Sequence, residues 1–172
     1  LFIAPMKISE IIVSLVFTAL IRALIGLVPA ILLTSPLFGI SLLDLGLPLA
    51  FLFLSLYIFG ITLGVLVAAG LLRFGPSFEN IAWASLFFLA PLGCIYYPIE
   101  VLPNWLQLVA KFLPLVHIFE EMRNILMNST VNSYEIFKGT LISLMYFIFG
   151  VVVFYIAYSG ARIRGTLINI GE

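Results

Sequence analysis

The chain has 172 residues, 63% of them hydrophobic and only 9% charged, with a mean hydropathy of +1.26 and no net charge at pH 7. A soluble domain carries about 25% charged residues, so this composition excludes that class and identifies an integral membrane protein. The balanced charge gives no reason to expect a nucleic-acid partner. One cysteine and one histidine exclude an internal disulfide and a Cys/His metal site, and nothing calls for a cofactor.

The sequence starts at Leu1 rather than Met, which points to a chain truncated at its N-terminus. Leu1, Phe2, Pro5, Met6 and Lys7 then form a short cap before the first apolar run. Four stretches have the character of membrane-spanning helices, at about 10–34, 47–72, 79–97 and 136–159. An alternating strand pattern is absent, so the predicted fold is all-α, a polytopic helical bundle forming one transmembrane domain over 1–172.

Arg22 interrupts the apolar run from Ile11 to Leu33 of the first span about 16 Å of helix rise from either end, beyond easy snorkelling reach. It reads either as a charge on a substrate path or as a structural arginine bonded to a carboxylate or carbonyl. The second span carries Gly60 and Gly64 in a GxxxG pattern, with Ala68 on the same face. Such small residues let helices approach closely, within one protomer or between two.

Between the third and fourth spans the pattern breaks. Pro98, Pro103 and Pro114 forbid one straight helix there, because each lacks an N–H and crowds the preceding turn. His117, Glu120, Glu121 and Arg123 follow, with Glu120 and Arg123 three residues apart and His117 one turn from both glutamates. A Glu-Glu-x-x-x-Arg pattern would suggest a CAAX-type intramembrane protease. Ile125 stands where that arginine belongs and no second histidine exists, so a charge-paired helix end at the membrane surface is the better reading.

Basic residues set the expected orientation. Lys7, Arg73, Arg162 and Arg164 fall on one side of alternating spans. Lys111, Arg123 and Lys138 fall on the other, with Asp44, Glu100, Glu120, Glu121 and Glu135. The bias places both ends of the chain in the cytoplasm and the proline-broken stretch outside, in a multi-pass protein of the cell membrane.

That stretch carries a family likeness. Tyr97-Pro98-Ile-Glu-Val-Leu-Pro103-Asn-Trp105-Leu, then Lys111-Phe-Leu-Pro114-Leu, then Phe119-Glu-Glu-Met-Arg123, resembles the permease subunits of type-2 ABC exporters. The resemblance implies that the four spans are the third to sixth of a six-span permease. It implies a re-entrant helical hairpin at about 100–128, dipping in from outside, with Tyr96, Tyr97 and Trp105 at the interface. Leu1-Phe-Ile-Ala-Pro5-Met-Lys7 resembles the end of the coupling helix that docks on the ATPase subunit. The implied partners are a separate ABC ATPase subunit, a second permease protomer and the bilayer.

No Gly-x-x-x-x-Gly-Lys-Ser/Thr occurs in the sequence, so the chain is not expected to be an enzyme, and ATP hydrolysis falls to the partner. The alternative expectation is a secondary transporter, or a membrane scaffold, with no ATPase partner.

Overall fold

The computed structural model describes residues 8–39, 43, 46–128 and 130–164, with side chains described from Val16 to Arg162 except for Phe38. The proposed coupling residues, Leu1 to Lys7, lie outside this set. Every regular element among the described residues is helical. The chain divides into two compact units, residues 1–46 and 47–172.

The first unit is built on α1 (Ile8–Phe38), an almost wholly apolar helix that contains Pro29 and Pro36. Each proline removes one i to i−4 bond. Between them the Thr34 hydroxyl donates to the Ala30 carbonyl, so a side chain adds a bond within the interrupted ladder. The helix ends where Gly39 turns to φ +68° and its N–H returns to the Ser35 carbonyl at 3.0 Å. That left-handed cap costs glycine nothing sterically.

In the second unit, α2 (Leu47–Phe74) carries a single charge, Arg73 in its last turn, where the helix dipole favours a cation. Gly75, at φ +80°, caps it through its N–H to Leu71 at 2.9 Å, and Pro76 prevents continuation. The longest seam in this unit lies between α2 and α6 (Ser133–Arg164). In lipid, helices associate through close packing and buried hydrogen bonds rather than apolar burial. The seam follows that rule. Ser55 and Thr140 share a hydroxyl bond of 2.7 Å, Thr62 lies against Gly150, and Phe59 meets Tyr146 edge to face at 5.7 Å.

Between these helices come α3 (Phe78–Leu92), a 3-10 turn (Ile99–Val101), α4 (Asn104–Ala110) and α5 (Pro114–Asn128). Among the described residues, three helices are long and apolar enough to cross a membrane, at Val16–Leu37, Leu47–Phe74 and Ser133–Arg162. The expected third span, about 79–97, takes the form of the 15-residue α3, whose rise of about 22 Å falls short of a hydrocarbon core of about 30 Å. Pro91 lacks the N–H that would close the last turn, and Cys94 at φ +53° turns the chain away from the helix axis.

From there each proline starts an element. Pro98 precedes the 3-10 turn, Pro103 caps α4, and Pro114 opens α5 at the first helical position, where its missing N–H is no loss. A small apolar core holds this segment together. Cys94, Leu102, Ala110 and Val116 are buried, with Tyr97, Ile99, Leu106 and Leu113 packed around them.

Candidate functional site

A group of charged residues of this unit converges on a cavity of about 580 Å³ between the 3-10 turn, α5 and the start of α6. Its lining includes Glu100, Lys111, His117, Glu120, Glu121, Arg123, Glu135 and Lys138. The amphipathicity of α5 explains the arrangement. Leu115, Ile118 and Ile125 bury the apolar face, and the polar side chains are left to bridge neighbouring elements.

Arg123 and Glu120 clamp the turn that follows α3. One Arg123 nitrogen donates to Glu120 Oε1 at 2.7 Å, and the other donates to the carbonyls of Cys94 at 2.8 Å and Tyr97 at 3.2 Å. The same Glu120 oxygen accepts the Ile99 amide at 2.8 Å. These carbonyls and this amide have no helical partner, so the side chains of α5 satisfy a backbone that the prolines left open. The Tyr97 hydroxyl donates back to the Pro91 carbonyl at 2.8 Å, closing the same turn from the other side.

His117 and Glu121 tie α5 to α6. Glu121 is 2% exposed, and its Oε1 accepts the Asn132 amide at 2.6 Å. His117 is 6% exposed; its Nδ1 lies 2.8 Å from Glu135 Oε2 and its Nε2 lies 2.9 Å from the Lys111 carbonyl. The sequence spacing paired His117 with the two glutamates of its own helix. The partner in the structure is Glu135, 18 residues on. A signal for it was present in the single carboxylate of the next helix's first turn. Its register was not, because Asn132 folds back to Glu121 about two turns before α5 ends.

The remaining sequence candidates lie elsewhere. Trp105 and Tyr96 are 67% and 81% exposed, whereas Tyr97 is half-buried. Trp105, Leu108 and Phe112 form an exposed apolar stripe along α4 and the turn after it. Gly60 and Gly64 are exposed on α2, with open space where a Cβ would stand, and the close approaches in this unit are at Gly70, Gly93, Gly139 and Gly150 instead. Arg22 is exposed on α1. Among the described residues no group of three or more His, Cys, Asp or Glu side chains could hold a metal ion.

The bonds of the cavity are internal ion pairs and backbone contacts, a pattern that holds elements together. Comparison with curated proteins and with solved structures found no match. The family model of the ABC-2 type transporter matches residues 1–127, which takes in α1 to α4 and nearly all of α5. With that match over most of its length, and with long apolar helices on either side of the proline-broken segment, the chain belongs to the ABC-2 type transporter family of membrane permeases.

Proposed function

We propose that this chain is the permease part of an ATP-driven exporter, working with a separate ATPase subunit and a second permease protomer. The observation that carries the reading is the family match over residues 1–127. The absence of a P-loop from these 172 residues supports placing nucleotide hydrolysis in a partner. Leu1, Phe2, Pro5, Met6 and Lys7 would end the coupling helix, at the cytoplasmic side that the basic residues favour. Closure of the ATPase dimer would push on that helix and rearrange the spans.

A path between protomers agrees with the packing of the second unit. Ser55, Phe59 and Thr62 are at most 3% exposed along the α2–α6 seam, so that seam is filled rather than hollow. Gly60, Gly64 and Ala68 would serve contacts with another copy, and Arg22 would line the path or brace the spans beside it. The segment about 100–128, with Pro98, Pro103, Trp105, Pro114, Glu120, Glu121 and Arg123, would be a re-entrant hairpin closing the outer side.

The test is purification of the intact protein from its native membrane, followed by transport in inverted vesicles. Co-purification of a P-loop ATPase and ATP-dependent uptake are the expected results. Transport that proceeds at the same rate without nucleotide, with no ATPase in the complex, would overturn the proposal in favour of a secondary transporter.

A further inference from the structure

The bond to the Asn132 amide uses only one oxygen of Glu121. The residue is 2% exposed, and Oε1 accepts that amide at 2.6 Å. Among the described residues Oε2 has no donor, yet no side-chain oxygen there is both sealed in protein and without a partner. Because Glu121 lines the cavity of about 580 Å³, that second oxygen opens on it. A carboxylate oxygen held in this way accepts from an N–H or O–H donor, most strongly from one that carries positive charge.

The other charges of the cavity indicate what accompanies the donor. Among the described residues the ion pairs are His117–Glu135 and Glu120–Arg123. Lys111, Lys138, Glu100 and Glu121 remain on the same lining, two charges of each sign without an ion-pair partner. His117 fixes the two lysines around the cavity. It lies 2.9 Å from the Lys111 carbonyl and 2.8 Å from Glu135, which stands one turn before Lys138. A bare amine entering here meets two ammonium groups, and a bare phosphate meets the carboxylates. A ligand that carries both charges avoids each repulsion. A metal ion does not fit, since no group of three His, Cys, Asp or Glu side chains among the described residues could hold one.

Placement in the fold narrows the class. Glu135 and Lys138 lie in the first two turns of α6, a helix long and apolar enough to cross a membrane, so the cavity opens at the level of lipid headgroups. We propose that the cavity binds the headgroup of a phosphatidylethanolamine-type lipid, with its primary ammonium on Glu121 and its phosphate on Lys111 and Lys138. The volume suits such a group, as ligand pockets run to about 300–1,000 Å³. Half-buried Ile99 and exposed Met127 add apolar surface beside the charges. A quaternary ammonium has no N–H, so phosphatidylcholine keeps the phosphate contacts and loses the one to Glu121. This site needs neither an ATPase nor transport, so its test stands apart from the exporter reading.

The experiment titrates the purified intact protein in detergent with phosphatidylethanolamine and phosphatidylcholine of the same acyl chains, and counts bound lipid by native mass spectrometry. The first should bind at about tenfold lower concentration than the second. Glu121→Gln should abolish that preference, and its side-chain carbonyl can still accept the Asn132 amide. The double variant Lys111→Met, Lys138→Met should weaken both lipids alike. Soluble phosphoethanolamine is the competitor. If it binds as tightly as the diacyl lipid, the same chemistry is met by a free solute; an advantage for the diacyl form assigns the ligand to the bilayer. Equal binding of the two lipids to the wild type overturns the proposal without recourse to any variant. So does a preference that survives Glu121→Gln, or unchanged binding in the double lysine variant.

Discussion

Arg123 donates to the carbonyl of Cys94, 29 residues earlier in the chain, at 2.8 Å. This bond reaches from the middle of α5 to the residue at which the chain turns out of α3. It joins two pieces of backbone that the intervening prolines would otherwise leave independent, and the Glu120 bond to the Ile99 amide reinforces it.

Arg123→Ala leaves the Cys94 and Tyr97 carbonyls without this donor and should destabilise the second unit by about 2 kcal/mol. Arg123→Lys should recover only part of the loss, because one ammonium cannot reproduce the planar fork that serves two carbonyls and a carboxylate. Thermal unfolding in detergent measures both. A wild-type midpoint for Arg123→Ala would show that the clamp contributes nothing to stability.

Two glycines of α2 should respond in opposite directions. A Cβ on Gly70 would sit 2.0 Å from the Phe78 ring, which also stacks on Phe74, so Gly70→Ala should weaken the α2–α3 contact by about 1–3 kcal/mol. Gly60 has open space around it, and Gly60→Ala should be neutral or stabilising by about 0.5–1 kcal/mol in the isolated protomer. If this face meets a second copy, Gly60→Leu will shift the protein from dimer to monomer on a sizing column. Unfolding curves for the two alanine variants that coincide would contradict the first expectation.

Cys94 is fully buried at φ +53°. Maleimide labelling should therefore be slow in the folded protein and rapid after denaturation. Cys94→Val should be destabilising, since a β-branched side chain is strained in the left-handed region, while Cys94→Gly relieves the backbone and leaves only a small void. Rapid labelling under native conditions would place the thiol at the surface.

Topology is tested with cysteines at Asn104 and Asn128, both exposed at the starts and ends of α4 and α5. Labelling by a membrane-impermeant reagent added outside intact cells is expected. Labelling only after the cytoplasm is opened would invert the proposed orientation. In the same background, Arg22→Leu that assembles normally and loses transport would place Arg22 on the path, whereas loss of the protein would give it a structural role.

The broad architecture is legible in the sequence because it depends on local quantities. The apolar run over 47–72, and the one over 136–159 in which Lys138 is the single charge, form helices in lipid because their backbone groups then bond internally, and the observed α2 and α6 cover them. The prolines were equally informative, since a missing N–H restricts its own turn whatever the surroundings. Pro98, Pro103 and Pro114 each stand at the start of an element. The Glu120–Arg123 pair follows from helical spacing alone, and it closes at 2.7 Å.

Tertiary structure decided the rest, because hydrogen bonds across elements depend on register and no local pattern encodes it. It brought Arg123 to Cys94 and Glu121 to the Asn132 amide. It placed the α2 seam on Ser55, Phe59 and Thr62 and left Gly60 and Gly64 open, since which face of an apolar helix meets its neighbour depends on the partner's shape. His117 shows the division most clearly. Its sequence neighbours suggested partners on one helix face, whereas the fold gave it a carboxylate from the next helix and a carbonyl from the preceding turn.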